Sequence, residues 1–290
     1  MSSKKVDSRV NALMQFHGAN GDPADLINRL CLGLLDDASA EVPVDLEVLA
    51  SFRNAHVVHA EMEQAETIHW DGHNFQVRLR DEDTPGRQRF SCAHAIVHTW
   101  FFESADTGSN GHSLDWRSEA EEELCDLGAA ALLLPEAAFR PACPAEVTVE
   151  DVLRLAEEFQ ASAESTALRA VSLSAMPLAM VVLEMTIKPA EERALAKLPT
   201  HPTLPELDGP LVTPRLRVVK RFARGLDFIP RYKSVGDTTP LASVIDEGGV
   251  DYVGETGILA GTFRVSARNL PIRRGGKLVD RVVALLAPYG

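Results

Sequence analysis

His94 and His98 stand four residues apart in the stretch Arg-Gln-Arg-Phe-Ser-Cys-Ala-His-Ala-Ile-Val-His, residues 87–98. On a helix that spacing puts both imidazoles on one face, one turn apart, where they can share a metal ion. A zinc peptidase of the His-Glu-x-x-His type would carry its general base directly after the first histidine. This sequence has Ala95 there. A third candidate ligand, Glu122, follows His98 by 24 residues, and Asp126 lies one helical turn beyond it. Two imidazoles and a carboxylate, with a fourth position open, form the catalytic arrangement of zinc, which acidifies water and polarises a peptide carbonyl. Asp126 is placed to accept the remaining ring N–H of a ligating histidine, a contact that fixes its orientation. His112, in the loop between the two segments, is a candidate for substrate contact.

The elements that must hold these residues follow from the pattern around them. Residues 1–23 are polar and read as a frayed lead-in. Asp22-Pro23 then marks a helix start, with an N-cap followed by proline at the first helical position. Leu26, Ile27, Leu30, Leu34 and Leu35 supply its apolar face, and a short helix is expected over Asp45–Arg53. Three β-type runs come next, His56–Glu61, Glu66–Trp70 and Phe75–Arg80, read as a small antiparallel sheet with a turn at residues 71–74. His56, His59, His69 and His73 fall in it and read as surface residues.

After Pro85-Gly86 comes the histidine helix, packed through Phe90, Ala93, Val97 and Phe101. Residues 104–116 are loop by composition. A helix over Glu119–Leu134 stops at Pro135, and Val149–Phe159 with Ser162–Leu173 reads as a helix-turn-helix-like pair. Its second helix has one arginine and one glutamate, too little positive charge for phosphate contacts, so it reads as a packing element. Leu178–Met185 reads as a strand and the proline-rich Pro189–Pro210 as a linker. The remainder is β-rich over Leu216–Phe222, Val250–Val253, Leu259–Leu270 and Val279–Leu286. Arg215, Arg217, Lys220, Arg221 and Arg224 read as a solvated basic face.

Charge divides unevenly. The chain carries a net −13, with −18 over residues 1–187 and +5 over residues 188–290. Acidity of that size argues against direct DNA binding by the first part. The longest apolar stretch, Met176–Met185, is interrupted by Pro177 and Glu184 and is far too short to span a bilayer. No apolar signal core follows Met1, and Cys31, Cys92, Cys125 and Cys143 form no CxxC pair. A cytoplasmic protein with reduced, buried thiols is expected.

Taken together, the segments 89–98 and 122–135 resemble the ImmA/IrrE zinc metallo-endopeptidases. Arg89-Phe90-Ser91-Cys92-Ala93-His94 and His98 match the first motif of that family. Glu122, Cys125, Asp126, Leu132, Leu133 and Pro135 match the second. The likeness spans about residues 24–175. It implies zinc bound by His94, His98 and Glu122, and an α+β architecture in three parts: a zincin-like metallopeptidase domain (1–140), a helix-turn-helix-like segment (141–175), and a β-rich, GAF-like sensor domain (176–290). It also implies cleavage of a helix-turn-helix transcriptional repressor in a stress or mobile-element response, with a small-molecule ligand for the terminal domain.

Two positions depart from the motifs. Gly128 replaces an aromatic, and Ala95 replaces the catalytic glutamate. A positioned general base contributes roughly 10²–10⁴ in rate. The expectation is therefore a zinc-loaded chain with little peptidase activity. Of two accounts of Ala95, an engineered inert variant is favoured over a natural pseudoprotease or ligand-sensing regulator. A lineage that had lost catalysis would be expected to lose ligands too.

Overall fold

The structure is a computed structural model and describes residues 8–105, 118–195, 213–274 and 276–290. The chain forms two compact units, Met1–Pro144 with Asp151–Leu173, and Ala145–Glu150 with Ser174–Gly290.

The first unit starts with a helix, α1 (Ser8–Phe16), where the sequence suggested a frayed lead-in. Val10 and Leu13, three residues apart, are buried as α1 packs on the histidine helix, and that burial orders a segment too short and polar to declare itself. In α2 (Pro23–Asp37) the Asp22 carboxylate accepts from the Ala24 N–H, and Leu26, Ile27, Leu34 and Leu35 point inward. Asp45 caps α3 (Leu46–Phe52) by accepting from the Glu47 and Val48 N–H groups.

Three strands follow, β1 (Ala55–Ala60), β2 (Glu66–Trp70) and β3 (Phe75–Arg80), in the order β1-β3-β2. β2 and β3 form the expected antiparallel hairpin, while β1 runs parallel to β3. The Asp71 carboxylate accepts from the backbone of His73 and Asn74 and closes the hairpin turn. Along β3, Phe75, Val77 and Leu79 alternate inward, each burial contributing about 1.5–3 kcal/mol.

α4 (Pro85–Ala105) is the central helix, and residues 90–102 are buried all round. α1, α3, α5, β2 and β3 all pack on it. Its lead-in is tied down on two sides. Gln88 donates to the Arg80 and Asp81 carbonyls, and Arg89 to those of Val44 and Gln160. α5 (Glu119–Leu133) begins at Ser118, whose hydroxyl accepts from the Glu121 N–H. After α6 (Glu136–Ala142) come α7 (Val149–Glu158) and α8 (Ala163–Leu173). α8 packs on α5 and buries Ser165 through Val171, so that stretch presents no free face to a DNA groove.

The second unit is built on one antiparallel sheet. β4 (Leu178–Thr186) precedes α9 (Pro189–Leu195), and β5 (Arg215–Arg224) follows. A 3-10 turn at Pro240–Ser243 leads into α10 (Val244–Glu247) and β6 (Gly249–Gly254). Then come β7 (Phe263–Asn269), a small hairpin of β8 (Ile272–Arg274) and β9 (Lys277–Val279), and β10 (Arg281–Pro288). The order β5-β4-β10-β7-β6 puts the unit's first and last long strands in the middle. Val181, Leu183, Val218, Val265, Ala284 and Leu286 head its core cluster.

Two sequence expectations change here. The proline-rich linker over Pro189–Pro210 begins as helix α9, whose start is held by the Glu191 carboxylate accepting from the Lys188 N–H. Arg217, read as part of a solvated face, is buried and donates to the Thr186 and Tyr232 carbonyls.

Candidate metal centre

Helices α4 and α5 bring His94, His98, Glu122 and Asp126 to one place. The two Nε2 atoms lie 2.9 Å apart. The Glu122 carboxylate stands 3.3 Å from His94 Nε2 and 3.4 Å from His98 Nε2. Behind each imidazole is a carboxylate. Asp126 is 3.2 Å from His94 Nδ1, and Glu121 is 2.9 Å from His98 Nδ1. Sequence reasoning placed Asp126 beside a ligating ring; it did not single out Glu121.

Glu121 is fully buried, and its second oxygen meets Arg9 Nε of α1 at 3.0 Å. The Arg9 guanidinium lies over the Phe102 ring, 5.4 Å from its centre. A helix absent from the sequence reading thus completes a chain from Arg9 through Glu121 to His98. The signal for Glu121 was hidden in the run Glu119-Ala120-Glu121-Glu122-Glu123, which also serves as acid at a helix N-terminus. On α5 the four acceptors form two rows one turn long. Glu121 and Cys125 line the buried row, and Glu122 and Asp126 the partly exposed one.

The electrostatics ask for a cation. Each ring that gives its Nδ1–H to a carboxylate turns a lone pair on Nε2 toward the shared point. Two such lone pairs and the Glu122 carboxylate then converge within 3.4 Å. Acceptors so placed in a buried site repel unless a proton or a metal lies among them. The carboxylates also favour a proton on the His94 ring. Burial opposes charge on His94, yet the Asp126 and Glu122 carboxylates outweigh it and push its pKa up to about 9. Burial likewise opposes charge on Glu122, and the two histidines hold its carboxyl well below the usual range. The donor set of nitrogen, oxygen and sulfur suits zinc. His94, His98 and Cys125 form a buried triple whose ligand atoms all lie within 4.8 Å of one another.

Ala95 is fully buried beside this cluster, and its methyl group offers no proton acceptor. Gly128 lies on α5 where that helix meets α4. A Cβ there would come within 2.7 Å of a Val97 methyl and 2.9 Å of an Ile27 methyl. The space of an aromatic side chain is therefore filled by neighbours. His112 lies outside the described residues. His56, His59 and His69 are exposed on the small sheet, away from the cluster in sequence and pairing.

Two helices thus bring two histidines and a carboxylate together, with a cysteine close by, a donor set able to hold a cation. Residues 54–171 match the family model of the IrrE N-terminal-like domain, Peptidase M78. A transcriptional regulator from Mycobacterium tuberculosis has a similar fold, with a TM-score of 0.58 at 16% identity, over 97% of this chain and 79% of that one. No curated protein matches the sequence. Among the described residues, no helix is long and apolar enough to cross a membrane.

Proposed function

We propose that this protein is a zinc-binding member of the ImmA/IrrE metallo-endopeptidase type, acting in the cytoplasm on a helix-turn-helix transcriptional repressor in a stress or mobile-element response. The observation that carries the reading is the convergence of His94 Nε2, His98 Nε2 and the Glu122 carboxylate on one point, with a carboxylate behind each ring. Zinc held there by His94, His98 and Glu122 would supply Lewis acidity toward a peptide carbonyl. Asp126 and Glu121 orient the two imidazoles. Position 95 is where a base would take a proton from water and return it to the leaving amine. Alanine does neither, so the chain binds its target and hydrolyses it little or not at all.

An engineered change is the better account of Ala95, because His94, His98, Glu122 and Asp126 all remain in place around it. The second unit is the sensor in this reading. Its sheet, with first and last long strands central, supports a GAF-like module for a small ligand.

Cleavage of a helix-turn-helix repressor tests the proposal. The zinc-loaded chain with Ala95 is expected to leave it intact, and Ala95→Glu to cut it, with a gain on the order of 10²–10⁴. A zinc-loaded Ala95→Glu chain that binds the repressor without cleaving it contradicts the peptidase reading.

A further inference from the structure

The three-stranded sheet of the first unit carries a row of polar side chains that the metal centre does not use. In the register of the strands, Gln76 of β3 is the partner of His56 on β1 and of His69 on β2. Partners in register share a face of the sheet, and these residues are all exposed. On the other face Phe75 is buried, and Trp70 stacks on it with ring centres 4.1 Å apart, so the hairpin end beneath the row is packed. A cavity of about 410 Å³ opens over the row, lined by His56, His69 and Gln76 and, at the hairpin end, by Asp71, Asn74 and Phe75.

The spacing decides what fits there. Neighbouring strands lie about 4.8 Å apart, so the two imidazoles are rooted roughly 9.6 Å apart with the Gln76 carboxamide between them. The set does not meet around one ion. Among the described residues only His94, His98 and Cys125 bring three such ligand atoms within 4.8 Å of one another. A flat ring suits the gap better. Held face to face between two others, it takes roughly 7 Å, twice the ~3.4 Å rise between stacked bases, a width that two histidines leaning inward from their strands can reach. Histidine is one of the side chains on which bases stack. Gln76, at the floor, offers an N–H donor and a carbonyl acceptor side by side, the pattern that pairs with N7 and the N6 amine of adenine. The Asp71 carboxylate accepts from the His73 and Asn74 backbone N–H groups, which fixes a negative charge at one end of the cavity. An uncharged nucleoside suits that end better than a phosphate does.

We propose that this cavity is a second site of the first unit, and that it takes the adenine ring of a nucleoside between His56 and His69, with the N6 and N7 edge on Gln76. The site lies on the small sheet, apart from the ligands of the zinc reading, and stands or falls without them.

Titration of the full chain with adenosine, followed by calorimetry and by the histidine Cε1–H resonances, tests this. A single saturable site is expected in the metal-free and the zinc-loaded chain alike, with the His56 and His69 resonances shifted by the ring current of the base. His69→Ala removes one stacking partner and should weaken binding by about 5–150-fold, the ratio that corresponds to one base–aromatic stack. Gln76→Ala should bring the affinity for adenosine down to that for uridine, which lacks the paired edge. Both side chains are exposed, so these variants are expected to fold, and the shifted resonances of the unaltered chain decide without them. No saturable binding at millimolar adenosine overturns the proposal. Binding that shifts no imidazole resonance, that is unchanged in His69→Ala, or that does not distinguish adenosine from uridine overturns it equally.

Discussion

The two units bury charged and polar side chains in opposite ways. In the second, each buried charge has its own counterpart. Glu184 accepts from Arg274 at 3.0 and 3.1 Å and from Arg281 at 2.5 Å. Arg217 donates to two backbone carbonyls and faces Glu191 at 3.5 Å. These sets are closed: donors and acceptors balance, and nothing further is called for. In the first unit, the buried groups around His94 and His98 are mostly acceptors, and they aim at one another. Arg9 faces the outermost of them at 3.0 Å, and the innermost three still converge. A closed set of buried polar groups contributes to holding a fold. A converging set of one sign marks where a cation belongs.

That contrast can be broken most severely at a ligand. His98→Ala should abolish zinc retention after dialysis, measured by elemental analysis, while circular dichroism of the chain remains that of a folded protein. The matching change in the second unit should leave metal content unaltered. Arg281→Met removes the closest partner of Glu184, which is 7% exposed, and leaves it the more exposed Arg274. A loss of about 2–3 kcal/mol is expected in denaturant unfolding, with zinc stoichiometry unchanged. Should zinc uptake fall in Arg281→Met, the separation of the two sets would be wrong.

Smaller effects sharpen the account inside the first unit. Glu121→Gln keeps the shape of the side chain and weakens its grip on His98 Nδ1. Zinc affinity in a chelator competition is expected to drop by about 10–100-fold, as when other residues behind metal ligands are changed. Unchanged affinity would reduce Glu121 to a partner of Arg9 alone. The smallest expected change is away from the site. Asp45→Ala removes the cap of α3 and should cost about 1 kcal/mol in stability without touching metal affinity.

What the sequence revealed, and what it hid, divides along physical lines. Features set by local spacing were legible: the Asp22 and Asp45 caps, the 71–74 turn, and the four-residue spacings of His94 with His98 and Glu122 with Asp126. Each depends on one helical turn or one hairpin. Features that need a distant partner were not. α1 is ordered by packing on α4, and Arg9 matters only because Glu121 waits 112 residues away. Glu121 itself differs from its acidic neighbours only by the face of α5 it occupies. Arg217 looks like its fellow basic residues until the Thr186 and Tyr232 carbonyls are brought to it. Cys125 read as filler, and only the approach of two helices places it beside two imidazoles. The parallel course of β1 beside β3 is likewise a matter of connection, invisible in alternation alone.

The central claim is that the converging acceptors of α4 and α5 hold a metal ion. Elemental analysis of the full chain, purified, exposed to zinc and dialysed, addresses it directly. The account predicts about one zinc per chain, lost in His94→Ala. A chain that stays metal-free under zinc loading, or whose zinc content is the same in His94→Ala, contradicts it.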